Sequence, residues 1–157
     1  MNPTSIAGNW IGDWAWSLPL IVLTVVIHVC GLALIAERMV GVLSVSQGGR
    51  NFTLRFAAVM GATALLATVL HGIEGAIWAV AYRILTALPD NRSAMLYSLS
   101  AMTTFGHANL FLENRWQLMG ALEALDGMLL FGITTAFLFA IIQRVWPLGS
   151  RGPHPRP

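Results

Sequence analysis

The residues of this sequence that could do chemistry are ionisable side chains inside long apolar segments. Glu74, Glu123 and Asp126 are three of the seven acidic residues, and each lies in such a segment. A charge at the centre of a bilayer costs about 2.5–3.5 kcal/mol on insertion scales, so each acid is expected to need a partner or a watery cavity. His28 and His71 also lie in apolar segments, where an imidazole can take up a proton or bind a metal.

The spacing of His71 and Glu74 puts both on one face of a helix, because residues three apart are neighbours there. They are predicted to form an intramembrane polar pair, with each other or with Glu123 or Asp126 of a neighbouring helix. This pair fixes helix packing, and a proton-sensing or metal role is the alternative. His28 is predicted to be a packing or hydrogen-bonded histidine rather than a ligand.

The two acids nearest the C-terminus belong to a second pattern. Glu123, Gly127, Leu130 and Thr134 follow one stripe of a helix, and Asp126 lies about 60° round from Glu123. If this stripe faces a central axis, a tetramer presents a ring of carboxylates near a hinge at Gly127, and such a ring attracts cations. We expect at least one of the two acids to face a pore. The alternative is that one of them packs behind the pore loop, held by hydrogen bonds.

Composition places these residues in a membrane protein. The chain has 157 residues, of which 56% are hydrophobic and 10% are charged, whereas soluble domains carry about 25% charged residues. This leaves too few charges to cover a water-facing surface. The nine basic residues are all arginine and are scattered, so no nucleic-acid partner is expected. No nucleophile–base arrangement or phosphate loop indicates an enzyme.

Three apolar runs are predicted to span the lipid bilayer as helices, which makes the chain an all-α integral membrane protein. A tryptophan-rich interfacial segment at 1–17 precedes the first run, a peripheral transmembrane helix at 18–42. The second run covers 55–87 and the third covers 116–146. A short tail follows at 147–157.

The arginines predict the orientation of these runs. Three arginines lie in or beside the link between the first two runs and three more lie in or beside the C-terminal tail, whereas residues 1–17 carry none; the six are Arg38, Arg50, Arg55, Arg144, Arg151 and Arg156. Because basic residues favour the cytoplasmic side, the N-terminus is expected outside and the C-terminus in the cytoplasm. The segment between the second and third runs then faces the exterior.

That exterior segment is too long for a simple turn and too apolar for a solvated loop. Residues 92–103 are predicted to form a short helix, with Asp90, Asn91 or Ser93 capping its start. A helix of about three turns cannot cross a bilayer and must be shielded by other protein. A re-entrant hairpin within an oligomer is therefore expected.

The same segment resembles the pore loop of two-transmembrane potassium channels, including bacterial ion-channel domains. Where that family reads T-T-V-G-Y-G-D, this chain has Thr103, Thr104, Phe105, Gly106, His107, Ala108 and Asn109, preceded by Tyr97-Ser98. Residues 122–132 are similar to the inner helix of bacterial members, including its glycine hinge. The resemblance covers about residues 56–146 and leaves the first span outside.

The resemblance implies a homotetramer in the bacterial inner (plasma) membrane. Its pore domain, 55–146, would contain an outer helix at 55–87, a pore helix at 92–103, a selectivity filter at 103–109 and an inner helix at 116–146. In such filters four loops supply rings of backbone carbonyls that replace the water shell of a cation. Thr104, Phe105, Gly106 and His107 would line this path.

Three departures from the family change the expected selectivity. Ala108 replaces the second filter glycine, and an L-residue in the left-handed conformation costs roughly 1–2 kcal/mol. His107 replaces a tyrosine and can titrate near neutral pH, and Asn109 replaces an aspartate and so removes a ring of negative charge. We expect a weakly selective or non-selective cation channel that passes K⁺ or Na⁺ and holds no other cofactor.

Two other functions remain open on the sequence alone. A haem- or metal-binding membrane protein would use His28, His71 and Glu74, with the histidines as axial ligands of a haem. A non-conducting accessory subunit would keep the channel-like fold without an ion path.

Overall fold

The computed structural model describes residues 3–44, 52–106 and 109–145, and within these ranges the chain is helical apart from short connections. The helices are α1, α2, α3 and α4, over Pro3–Ser44, Phe52–Ile84, Asn91–Met102 and Gln117–Val145. A 3₁₀ turn at Asn114–Trp116 leads into α4. No strand occurs in the described ranges, so the prediction of an all-α chain is confirmed.

Three of the four helices are long and apolar enough to cross a membrane. The candidate spans are Trp10–Met39, Thr53–Ile84 and Asn114–Gln143. Their outward faces carry large apolar side chains, such as Leu65 and Phe139, which are 66% and 59% exposed on the single chain. Lipid or other chains must cover faces of this kind, which supports the prediction of a membrane protein with three spans.

The first helix extends further towards the N-terminus than the sequence predicts. α1 begins at Pro3 and continues through most of the segment predicted to be interfacial, so that Pro19 lies inside the helix. Polar residues of this extension are buried against the bundle. Asp13 and Ser17 are 4% and 0% exposed, and Asp13 lies beside the backbone amide of Met119 at the start of α4.

Within one chain, the first span packs against both of the other spans. α1 contacts both α2 and α4 more extensively than those two helices contact each other. Leu32 of α1 forms an apolar cluster with Ala67 and Leu70 of α2. Gly31 allows this approach, since a Cβ there would be 2.7 Å from the Leu70 side chain.

The short helix α3 is clamped between α2 and α4. A Cβ on Gly75 of α2 would be 3.2 Å from the Leu99 side chain, and one on Gly127 of α4 would be 2.6 Å from the Cα atom of Met102. Small residues at helix contacts let backbones approach closely. Gly75 and Gly127 therefore fix the position of α3.

The start of α3 is capped by one of the three predicted residues. Asp90 Oδ1 accepts a hydrogen bond from the Ser93 backbone N–H at 2.9 Å, and Asp90 Oδ2 accepts one from the Ser93 hydroxyl at 2.7 Å. These bonds lower the pKa of the Asp90 carboxyl below its ordinary value. The cap therefore stabilises the fold at neutral pH, and this contribution is lost as the pH falls through the lowered pKa.

Candidate functional site

The loop after α3 begins with a tight turn that ties its amides to the helix. The backbone N–H groups of Thr103, Thr104, Phe105 and Gly106 all donate to carbonyl oxygens at the end of α3, at 2.9–3.3 Å. Thr104 and Gly106 are in the left-handed region, with φ of 56° and 72°. This pattern is a Schellman turn in which Thr104 takes the position that glycine usually occupies.

The carbonyl oxygens of the same four residues have no hydrogen-bond partner within the described part of the chain. Their side chains are exposed, and Phe105 is 84% exposed. The C-terminal end of a helix carries partial negative charge, and here that end lies beside this loop. The loop therefore combines free carbonyl groups, a negative helix end and an uncovered aromatic ring.

Five of the seven predicted filter residues lie in the described ranges. Besides residues 103–106, Asn109 is described, and it is exposed. His107 and Ala108 lie outside the described residues, so the predicted remodelling of the upper filter and its titration remain predictions.

Behind α3, Glu123 of α4 ties three helices together. Its carboxyl group is fully buried. The Tyr82 hydroxyl of α2 donates to Oε2 at 2.6 Å, and the Ser98 hydroxyl of α3 contacts Oε1. The Ser98 hydroxyl also lies 2.7 Å from the carbonyl oxygen of Gly75. Because a hydroxyl has one proton to donate, both Ser98 contacts are hydrogen bonds only when Glu123 carries a proton.

This arrangement predicts different outcomes for two substitutions of Glu123. Glu123→Gln is expected to leave stability nearly unchanged, since an amide keeps an acceptor for Tyr82 and a donor for Ser98. Glu123→Ala leaves both hydroxyls unpaired and opens a cavity, and is expected to destabilise the fold by about 2–5 kcal/mol. Thermal unfolding in detergent micelles measures the difference, and equal losses in the two variants would contradict this account of the buried carboxyl.

Asp126 lies about one turn beyond Glu123 and is held from α1 and α2. Its Oδ2 accepts hydrogen bonds from the Thr24 hydroxyl of α1 at 2.7 Å and from the Trp78 indole N–H of α2 at 3.0 Å. Its Oδ1 is buried and has no partner among the described residues. Asp126 therefore links all three spans.

A second buried cluster contains the two intramembrane histidines and Glu74. His28 Nδ1 lies 2.9 Å from Glu74 Oε1, and His28 Nε2 lies 2.9 Å from the Thr134 hydroxyl. His28 is thus hydrogen-bonded through both ring nitrogens. His71 and Glu74, the predicted polar pair, do not hydrogen-bond to each other. Glu74 binds His28 on α1 instead, and His71 Nδ1 lies 2.8 Å from the Ala67 carbonyl of its own helix.

The stripe on the last span that was predicted to line a pore faces into the chain. Glu123, Asp126 and Leu130 are 0% exposed, Thr134 is 8% exposed, and Gly127 packs against α3. The structure thus places both carboxyl groups inside one chain, because α1 and α3 cover this face of α4. Glu123 has the position behind the loop that the sequence left open as the alternative.

The sequence interpretation singled out His28 but missed the other polar residues that α1 contributes, which are Asp13, Ser17 and Thr24. All four residues are buried, and they are spaced four, seven and four residues apart. This spacing repeats one helical face, so the polar stripe on the first span was a usable signal for its packing inside the bundle.

Comparison of this chain with protein-family models, with curated proteins and with solved structures finds no match. The support for a function therefore comes from the geometry of the chain itself.

Proposed function

We propose that four copies of this chain surround a cation path lined by the loop after α3. The observation that carries the proposal is that the backbone N–H groups of residues 103–106 are hydrogen-bonded, whereas their carbonyl groups are not. All four N–H groups donate to carbonyl oxygens of α3, and none of the four carbonyl oxygens has a partner in the described chain. Rings of such carbonyls can replace the water shell of a cation.

The packing of α3, the helix that precedes the loop, supports this proposal. Clamped by Gly75 and Gly127, and bonded through Ser98 to Glu123, α3 forms a rigid base for the loop. Sites that bind ions need donors and acceptors held in place by a packed surround. Thr104, a β-branched residue at a φ of 56°, shows that the loop keeps a strained backbone, and such strain clusters at functional sites.

The exposure of the loop supports the proposed assembly of four chains. Backbone carbonyls at membrane depth must be shielded by protein or line a water-filled cavity. Four loops around one axis would meet both conditions and would also cover Phe105. From the arginine distribution we infer that this loop faces the exterior and that the C-terminus lies in the cytoplasm. The proposed permeant ions are K⁺ and Na⁺, with weak selectivity.

Flux through liposomes tests the proposed function. Purified full-length protein in proteoliposomes is expected to pass both K⁺ and Na⁺, with a reversal potential that shows little preference between them. Empty liposomes are the control. If neither ion passes at any pH tried, the chain is not a channel on its own, and the accessory-subunit alternative replaces it.

The haem alternative has no support from the geometry. The rings of His28 and His71 have centroids 4.9 Å apart and meet edge to face at 72°. Two axial histidines must lie on opposite sides of the macrocycle, and this separation leaves no space for a porphyrin between the rings. A single metal ion needs much less space than a porphyrin.

A further inference from the structure

We propose that His28, His71 and Glu74 form an intramembrane site for one divalent transition-metal ion of the zinc type. One ligand atom from each residue lies within 4.8 Å of the other two. All three side chains are buried, at 0%, 8% and 0% exposure. The residues come from α1 and α2, so the ion would join the first span to the second.

His71 is held in the form that binds a metal. Its Nδ1 lies 2.8 Å from the carbonyl oxygen of Ala67, which can only accept, so Nδ1 carries the proton. The other nitrogen, Nε2, then has a free lone pair, and it is buried without a partner among the described residues. Metal-binding histidines commonly donate their second ring N–H to a backbone carbonyl in this way.

Glu74 offers a second unsatisfied atom. One oxygen, Oε1, contacts His28, whereas Oε2 is buried without a partner in the described chain. A buried carboxylate oxygen that is neither paired nor bonded is unfavourable in an apolar interior. A metal ion between Oε2 and His71 Nε2 would satisfy both atoms.

His28 completes the set of ligands. Thr134 of α4 lies 2.9 Å from Nε2 and fixes the ring from the far side. When Nε2–H donates to Thr134, Nδ1 has a lone pair directed towards Glu74. In the loaded site, the contact between Nδ1 and Glu74 would be replaced by bonds from both groups to the metal.

The ligand types select the class of ion. Two imidazole nitrogens and one carboxylate form a set that zinc uses with a fourth position open to water or another ligand. Imidazole suits zinc, copper, iron and nickel, whereas magnesium and calcium prefer sites built from oxygen atoms. The cluster is therefore matched to transition metals and poorly matched to the common hard cations.

Cobalt and zinc binding to the full-length protein tests the site. The protein, freed of any affinity tag, is stripped with a chelator in nanodiscs and titrated with Co²⁺. We expect about one Co²⁺ per chain, with visible absorption bands typical of low coordination number, and displacement of the Co²⁺ by Zn²⁺. Empty nanodiscs give the background.

Variants assign the bound metal to this cluster. His71→Gln and Glu74→Gln are each expected to weaken Co²⁺ binding at least about tenfold. His154→Ala, in the C-terminal tail, is the matched control and is expected to bind as the parent does. Absence of binding by the parent protein, or full binding by folded His71→Gln or Glu74→Gln, would overturn the site.

Binding and absorption do not depend on ion flux, so failure of this site and failure of the proposed channel are distinguishable. If His71→Gln does not fold, the Glu74→Gln variant and the parent titration still decide the outcome.

Discussion

Gly127→Ala is expected to dislodge α3 from α4 and to destabilise the protein by about 3 kcal/mol, the upper end of ordinary overpacking effects. An added Cβ would be 2.6 Å from the Cα atom of Met102 and 2.7 Å from its carbonyl carbon. These are backbone atoms, so no side-chain rotation relieves the overlap. Thermal unfolding in detergent micelles measures the loss.

Gly132→Ala is the matched control on the same helix. Nothing lies within 4 Å of a Cβ at Gly132, and alanine is a better helix former than glycine by about 1 kcal/mol. This variant is expected to be as stable as the parent or slightly more stable. Equal unfolding temperatures for the Gly127 and Gly132 variants would show that close packing of α3 is not what Gly127 provides.

Gly106→Ala is expected to reduce cation flux at least about tenfold while leaving the fold intact. Gly106 has a φ of 72°, and nothing lies within 4 Å of an added Cβ, so the effect comes from the backbone conformation alone. An L-residue in this conformation costs about 1–2 kcal/mol, and four loops in a ring would multiply that to about 4–8 kcal/mol. Relaxation of this strain would move the carbonyl oxygens away from the ion path.

Flux per assembled protein measures this effect, and size-exclusion chromatography and thermal unfolding confirm that the variant assembles and folds. Gly132→Ala again serves as the control, since its flux is expected to equal that of the parent. Unchanged flux in Gly106→Ala would contradict a role for this backbone in conduction.

The helices were predictable because their signals are local. The short helix was predicted at 92–103 and lies at Asn91–Met102, and the last span was predicted at 116–146 and lies at Gln117–Val145. Runs of apolar residues and a polar cap need no knowledge of the rest of the fold. The extension of the first helix to Pro3 was not predicted, because it accompanies the burial of Asp13 and Ser17 against the bundle, which no local pattern shows.

The orientation of the polar stripes was not predictable for a physical reason. In a membrane protein, polar side chains turn away from lipid, and they do so both in the interior of a helix bundle and in a water-filled pore. The stripe through Glu123 and Thr134 fits both environments equally well. Because α1 and α3 pack on that face, the stripe lies in the interior of the chain. No local pattern in the sequence of α4 contains this information.

Partners across helices are also non-local. His71 and Glu74 are close in sequence and share a helical face, yet Glu74 binds His28, which lies 46 residues away. His71 instead contacts the Ala67 carbonyl oxygen of its own helix at 2.8 Å. Sequence spacing therefore related His71 to Glu74, whereas the contact of Glu74 with His28 depends on where the first span packs.

The number of chains in the purified assembly tests the proposed ion path most directly, because a ring of carbonyls requires four loops around one axis. Native mass spectrometry of the 17.0 kDa chain released from lipid nanodiscs counts the subunits. The proposed channel predicts a complex of four chains that persists at low protein concentration. A protein that is monomeric or dimeric under these conditions would contradict it.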